Sequence, residues 1–210
     1  NAIDAFVRSR QAWIDEQLQR LGDLPALPQW GEDRQWWHQG QEWPVHIEHV
    51  DTQRGRVKVC FSEHGVENLS AARHGFKVST TAVPDTWPKL ITKSLQDWQT
   101  AQAKQSLPLR VEALVAKHGE QWRPSALRFR CLRSRWGSCS ADGRIMLNTQ
   151  LMQLPEHLID YVICHEMAHL REMNHSAAFY AVQARLNPEW QVQRAEMKQW
   201  ATRLVTSGDV

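Results

Sequence analysis

Apolar residues fall at helical spacing over residues 3–21, at Ile3, Phe6, Val7, Trp13, Ile14, Leu18 and Leu21, with Gly22 as a stop. That pattern predicts an N-terminal helix. A Pro-punctuated connector, LPALPQWG, occupies 24–31. From 33 to 83 the period shortens to two. VHIEHV and RVKVCF alternate apolar and polar positions, and the DTQRG between them predicts a hairpin turning at Gly55. WWHQGQEW predicts another turn at Gly40, and FKVSTTAV a further strand. The region reads as a small, mostly antiparallel sheet.

At Asp85 the helical period returns. Asp85 or Thr86 caps a helix with Pro88 in its first turn, running through Leu90, Ile91, Leu95 and Trp98 to about Lys104. Pro108 predicts the start of a second helix, 108–118, closed by Gly119. LRFRCL (127–132) and RIMLN (144–148) predict two short strands with a turn at ADG between them. LPEHLIDYVICHEMAHLREM is a strong helix pattern with Pro155 at its start, and 176–205 holds one or two more helices, interrupted near Asn187-Pro188. The expected fold class is α+β. Residues 1–84 form a helix and β-rich region and 85–210 a second unit, with the alternative of one core shared across that boundary.

The chain has 210 residues, enough for one large domain or two small ones. Its net charge is only +2. RHGFK (73–77) and LRFRCLRSR (127–135) are the basic-aromatic stretches, so nucleic-acid association is conceivable but unsupported by charge. No apolar run approaches the roughly 18 residues of a membrane span. The four cysteines form no C-x-x-C pair, which argues against a thiolate zinc knuckle or a disulfide framework and for reduced thiols in a cytoplasmic protein. Cys164 reads as a small hydrophobe. The sequence begins at Asn1 rather than Met, which leaves a preceding segment open. The eleven tryptophans suggest packing.

The segment His165 to His175 reads HEMAHLREMNH. Helix residues four apart differ by about 40° in direction and about 6 Å in height, so His165 and His169 grip one ion from one face. Glu166 flanks that ion without ligating it and reaches a water beside it, the H-E-x-x-H arrangement of zinc hydrolases. The surrounding positions Leu158, Ile159, Val162, Ile163 and Met167 are apolar, and unpartnered polar groups on such a helix are costly. His175 is the best third ligand, since a chain that turns past Met173-Asn174 returns it to the ion. Glu172 and Glu196 are the rivals. No cysteine has a suitable spacing to close the site, so a water is expected in the fourth position.

RSRWGSCSADGRIMLN (133–148), the H-E-x-x-H helix and NHSAAFY together closely resemble the YgjP-like metallopeptidase family, which is related to the SprT-like zinc proteases. The matching residues are Arg135, Trp136, Gly137, Ser138, Cys139, Ser140, Leu147, Asn148, His165, Glu166, His169, His175 and Phe179. The resemblance is strongest over 127–190. Upstream, WHQGQEWPV is similar to the family's turn-containing hairpin, and the Trp98 helix falls in the expected place. It implies a compact zincin-like unit around a central H-E-x-x-H helix, preceded by a β-rich part.

The chemistry expected is peptide-bond hydrolysis by a Zn²⁺-activated water, with Glu166 as general base and a peptide or protein as substrate. Tyr180, Tyr161, Arg135 and Asn148 are candidate donors to the substrate. RIMLN is a candidate edge strand onto which an extended peptide adds, with Asn148 at its end. The alternative is a zinc-stabilised protein or nucleic-acid binding module with little turnover. Trp136 and Gly137 read as structural.

Overall fold

The computed structural model describes residues 34–49, 57–62, 75–81, 87–132 and 134–207. The helix over 3–21, the connector 24–31, the turn at Gly55 and the capping pair Asp85-Thr86 lie outside them. The architecture is mixed α+β, with no helix among the described residues long and apolar enough to cross a membrane.

Four strands form the first sheet: β1 (Gln35–His38), β2 (Gln41–His49), β3 (Lys58–Ser62) and β4 (Gly75–Thr80). β1 and β2 are an antiparallel hairpin whose turn uses Gln39 and Gly40, both at positive φ. The expected β2–β3 hairpin is absent. The strand order is β1-β2-β4-β3, with β2 parallel and β3 antiparallel to β4, so the sheet is mixed. The burial pattern explains the order. β4 is buried at Gly75, Phe76, Val78 and Thr80 and takes the interior place, whereas β3 is half-exposed and takes the edge.

A single helix α1 runs from Trp87 to His118, with Pro108 inside it where a break was expected. Proline removes one helical N–H and costs about 3 kcal/mol. Here Ala103, Leu107, Val111, Leu114 and Val115 are buried on both sides of it, and that packing outweighs the lost bond. The helix serves two hydrophobic clusters. Ile91 and Leu95 join Trp36, Val45, Phe76 and Val78, while Ala103 to Val115 enter the larger cluster with α2 (Glu156–Ala168).

The second sheet is β5 (Ala126–Arg130), β6 (Gly137–Cys139) and β7 (Arg144–Asn148), in the order β5-β7-β6. β7 is therefore central, paired parallel to β5 and antiparallel to β6, rather than the edge strand expected from the sequence. The reason is that residues 137–139 form the additional strand β6 and close that side. β7 leads into a buried 3₁₀ turn, Thr149–Gln153, and then α2. The β1–β2 turn docks there: Gln39 N–H donates to Met152 O at 2.9 Å and Gly40 N–H to Gln153 O at 3.0 Å. A Cβ on Gly40 would meet Pro155 at 2.7 Å.

α2 ends earlier than its apolar pattern suggests, with His169 as its C-cap. Ser176 then caps α3 (Ala177–Leu186), its hydroxyl accepting from Phe179 N–H. After Asn187-Pro188 the chain continues as α4 (Trp190–Ser207), with the interruption where proline predicts it.

Candidate metal centre

Three elements of local structure bring the histidines together. His165 lies in the last turn of α2, His169 caps it, and His175 immediately precedes the Ser176 cap of α3. The five residues between His169 and His175 form a tight return rather than a further helical turn. One ligand nitrogen from each imidazole lies within 4.8 Å of the others, and His165 Nε2 is 3.1 Å from His175 Nε2. Tetrahedral zinc with bonds of about 2.0–2.1 Å needs ligand nitrogens about 3.3 Å apart, so this donor set fits zinc. Phe179 is the floor, with ring centroids 5.0, 4.5 and 4.7 Å from His165, His169 and His175.

The electrostatics suit a cation. Burial, then the neighbouring imidazoles, hold His165 down to about 4 and depress His175 as well. Both stay neutral near pH 7 and keep a lone pair for an ion. His169 Nδ1 is 2.9 Å from the Glu172 carbonyl, which fixes Nδ1 as the protonated nitrogen and frees Nε2. Glu172 thus meets the centre through its backbone. Glu196, the other rival ligand, is turned away: His157 Nε2 is 2.9 Å from its Oε2, and Trp200 donates to its Oε1.

Glu166 is 5% exposed and lines one cleft with His165, Arg135, Trp136, Gly137, Tyr161 and α4. Burial pushes its carboxyl up to about 8, against the pull of Arg135. A Cβ on Gly137 would sit 2.6 Å from Glu166 Oε1, so glycine is what makes room for the carboxylate. The cleft has a volume of about 390 Å³.

The remaining candidates separate. Arg135 is exposed at the cleft. Tyr180 is half-buried beside His175, stacked on Trp190 at 4.8 Å, and its hydroxyl accepts from Arg194 at 3.4 Å. Asn148 is buried. Its amide donates to Leu132 O and Arg135 O, while its Oδ1 accepts from Leu132 N–H and Gln150 N–H. It is a tie that holds the Arg135 loop and caps the 3₁₀ turn. Sequence reasoning passed over Arg194 and Lys198 on the far wall, and Gln183 behind His165. Arg194, Lys198 and Ala201 recur at roughly one helical turn along α4, a signal visible only once α4 is known to face the cleft.

The chain belongs to the YgjP-like, metallopeptidase domain family, whose model matches residues 1–200. It is similar to the UTP pyrophosphatase of Escherichia coli (strain K12), at 29% identity over 72 residues, which cover 34% of this chain and 43% of that protein. The match thus spans less than half of that relative's length. A solved structure, the metallopeptidase zymogen of Pyrococcus abyssi abylysin, aligns at 25% identity and a TM-score of 0.38, over 45% of this chain and 94% of the other.

Proposed function

We propose that this chain is a zinc-dependent hydrolase of the zincin-like type, cleaving peptide bonds with Glu166 as general base. The observation that carries this is the convergence of three imidazole donors beside a buried carboxylate on one cleft. Zinc held by His165, His169 and His175 supplies Lewis-acid activation of water and of the scissile carbonyl. Glu166 takes one proton from the attacking water and passes it to the leaving amine as the C–N bond breaks. A nearby cation favours the ionised carboxylate and burial opposes it, which keeps Glu166 basic yet able to return a proton. β6 is the edge strand beside Glu166, so an extended peptide adds there rather than to β7.

A second reading has its own support. Arg135, Arg194 and Lys198 line the cleft, and none forms an ion pair with a carboxylate among the described residues. Such a rim suits a polyanion, and the Escherichia coli relative is named for hydrolysis of UTP. The same water and base then act on a phosphoanhydride, breaking a P–O bond.

One assay set decides. Zinc-loaded wild type and Glu166→Gln are compared on an unfolded protein, a neutral peptide library and nucleoside triphosphates. Glu166→Gln is expected to keep its zinc and lose at least about 10²-fold in turnover. Equal turnover by both proteins removes the base from the mechanism. Nucleotide turnover without peptide turnover selects the second reading, and zinc-loaded wild type inert to all substrates selects the binding module.

A further inference from the structure

α2 and α3 face each other with two matched pairs. Tyr161 and His165 are one turn apart on α2, with ring centroids 6.2 Å apart. Phe179 and Gln183 are one turn apart on α3, and both are fully buried. Phe179 lies beneath the imidazoles. Gln183 comes one turn further along the same face. A fully buried primary amide is costly unless its oxygen and nitrogen are both used.

Three buried atoms in this region complete no hydrogen bond: Gln183 Oε1, Gln183 Nε2 and His165 Nδ1. His165 Nε2 already points at the other histidines, so Nδ1 points back into the protein. The Gln183 amide neighbours both the His165 ring and the Tyr161 hydroxyl. A His165 that offers Nε2 to an ion keeps its proton on Nδ1, and that proton needs an acceptor. The amide oxygen is the acceptor at hand, which leaves Nε2 of the amide to donate to the phenol.

We propose that Gln183 is a positioning residue for the metal centre: its Oε1 accepts Nδ1–H of His165 while its Nε2 donates to the Tyr161 hydroxyl. The relay fixes the His165 tautomer and ring angle, as the Glu172 carbonyl does for His169. His165 thereby presents its Nε2 lone pair to the ion, and Tyr161, on the wall of the cleft, is held by the same amide. This inference rests on the reading of the three histidines as zinc ligands.

The test measures zinc affinity by competition with a chromogenic chelator, with folding followed by circular dichroism. Gln183→Leu is expected to weaken zinc about 10- to 100-fold. Gln183→Glu, whose carboxylate still accepts from Nδ1–H, is expected to restore affinity to within a few-fold of wild type. Histidine ¹⁵N spectra of the zinc-loaded wild type should show His165 ligating through Nε2, with a slowly exchanging Nδ1 proton. A folded Gln183→Leu protein that binds zinc within two-fold of wild type overturns the proposal. So does ligation through Nδ1, a result that needs no variant and stands even where Gln183→Leu fails to fold. Wild type that binds no zinc defeats the metal-centre reading itself, and the two failures are thus distinct.

Discussion

Gly137 lacks a side chain, and the Glu166 carboxylate occupies the space one would need. Gly137→Ala would place a methyl 2.6 Å from Oε1. The carboxylate has to move, because the other side of that contact is the strand backbone. Zinc content is expected to stay at the wild-type level while turnover falls by about 10- to 100-fold, the scale of an ångström-level misplacement. Elemental analysis and kcat, read together, check this; unchanged kcat would show that Glu166 repositions freely. At this scale the sequence is partly transparent. His165 and His169 are related by helical geometry alone, and the short return to His175 follows from a helix stop and a serine cap. Gly137, Gln183, Arg194 and Lys198 come to the site through packing between elements, which no local period encodes. Asn148, a candidate substrate contact at the end of its strand, caps the following turn with its side chain.

Among the elements, the clamp between α1 and α2 is the contact most open to test. Arg110 reaches Glu156 at 2.7 Å and Asp160 at 2.8 Å. Burial raises the Asp160 carboxyl, and Arg110 is the main force holding it down. Arg110→Met leaves Asp160 half-buried without its partner and is expected to lower stability by about 1 kcal/mol. Glu156→Gln, on a largely exposed side chain, should cost much less. Urea unfolding of both variants measures the difference, and equal effects would mean that Asp160 gains nothing from the clamp. Among the described residues, the helices and most strands were legible in the spacing of apolar residues. Continuity through Pro108 and the insertion of β4 between β2 and β3 were not. Both depend on which surfaces are covered by distant parts of the chain, and in both the burial of Phe76, Val78, Leu107 or Val111 decides.

Across the molecule, His38 ties solvent pH to stability. It is buried against Phe61, Phe76 and Trp98, and desolvation holds it at about 4, with the Met152 carbonyl pulling the other way. The unfolded chain binds that proton near pH 6.5, before the folded protein does. The stabilisation is therefore complete above about pH 6.5 and is lost as pH falls toward 4, by up to about 3 kcal/mol. Metal-free wild type and His38→Phe, unfolded in urea at pH 7 and pH 4, should differ in their acid loss by that order; parallel losses would exclude His38 as the cause.

β1 turns Trp36 toward one cluster and Trp37 toward the other, and α1 supplies both clusters along its length. Neither half of the core can melt without stripping apolar partners from an element the other half still uses. The expected outcome is all-or-none melting of the metal-free chain, with calorimetric and van't Hoff enthalpies in agreement and one midpoint for tryptophan fluorescence and helical dichroism. Two midpoints would mean that a joint near residue 85 uncouples the halves. A single one means that a substitution in the β1–β2 hairpin, outside the cluster of His165, His169 and His175, lowers the population of assembled histidine clusters by the same factor as it lowers the population of folded chains.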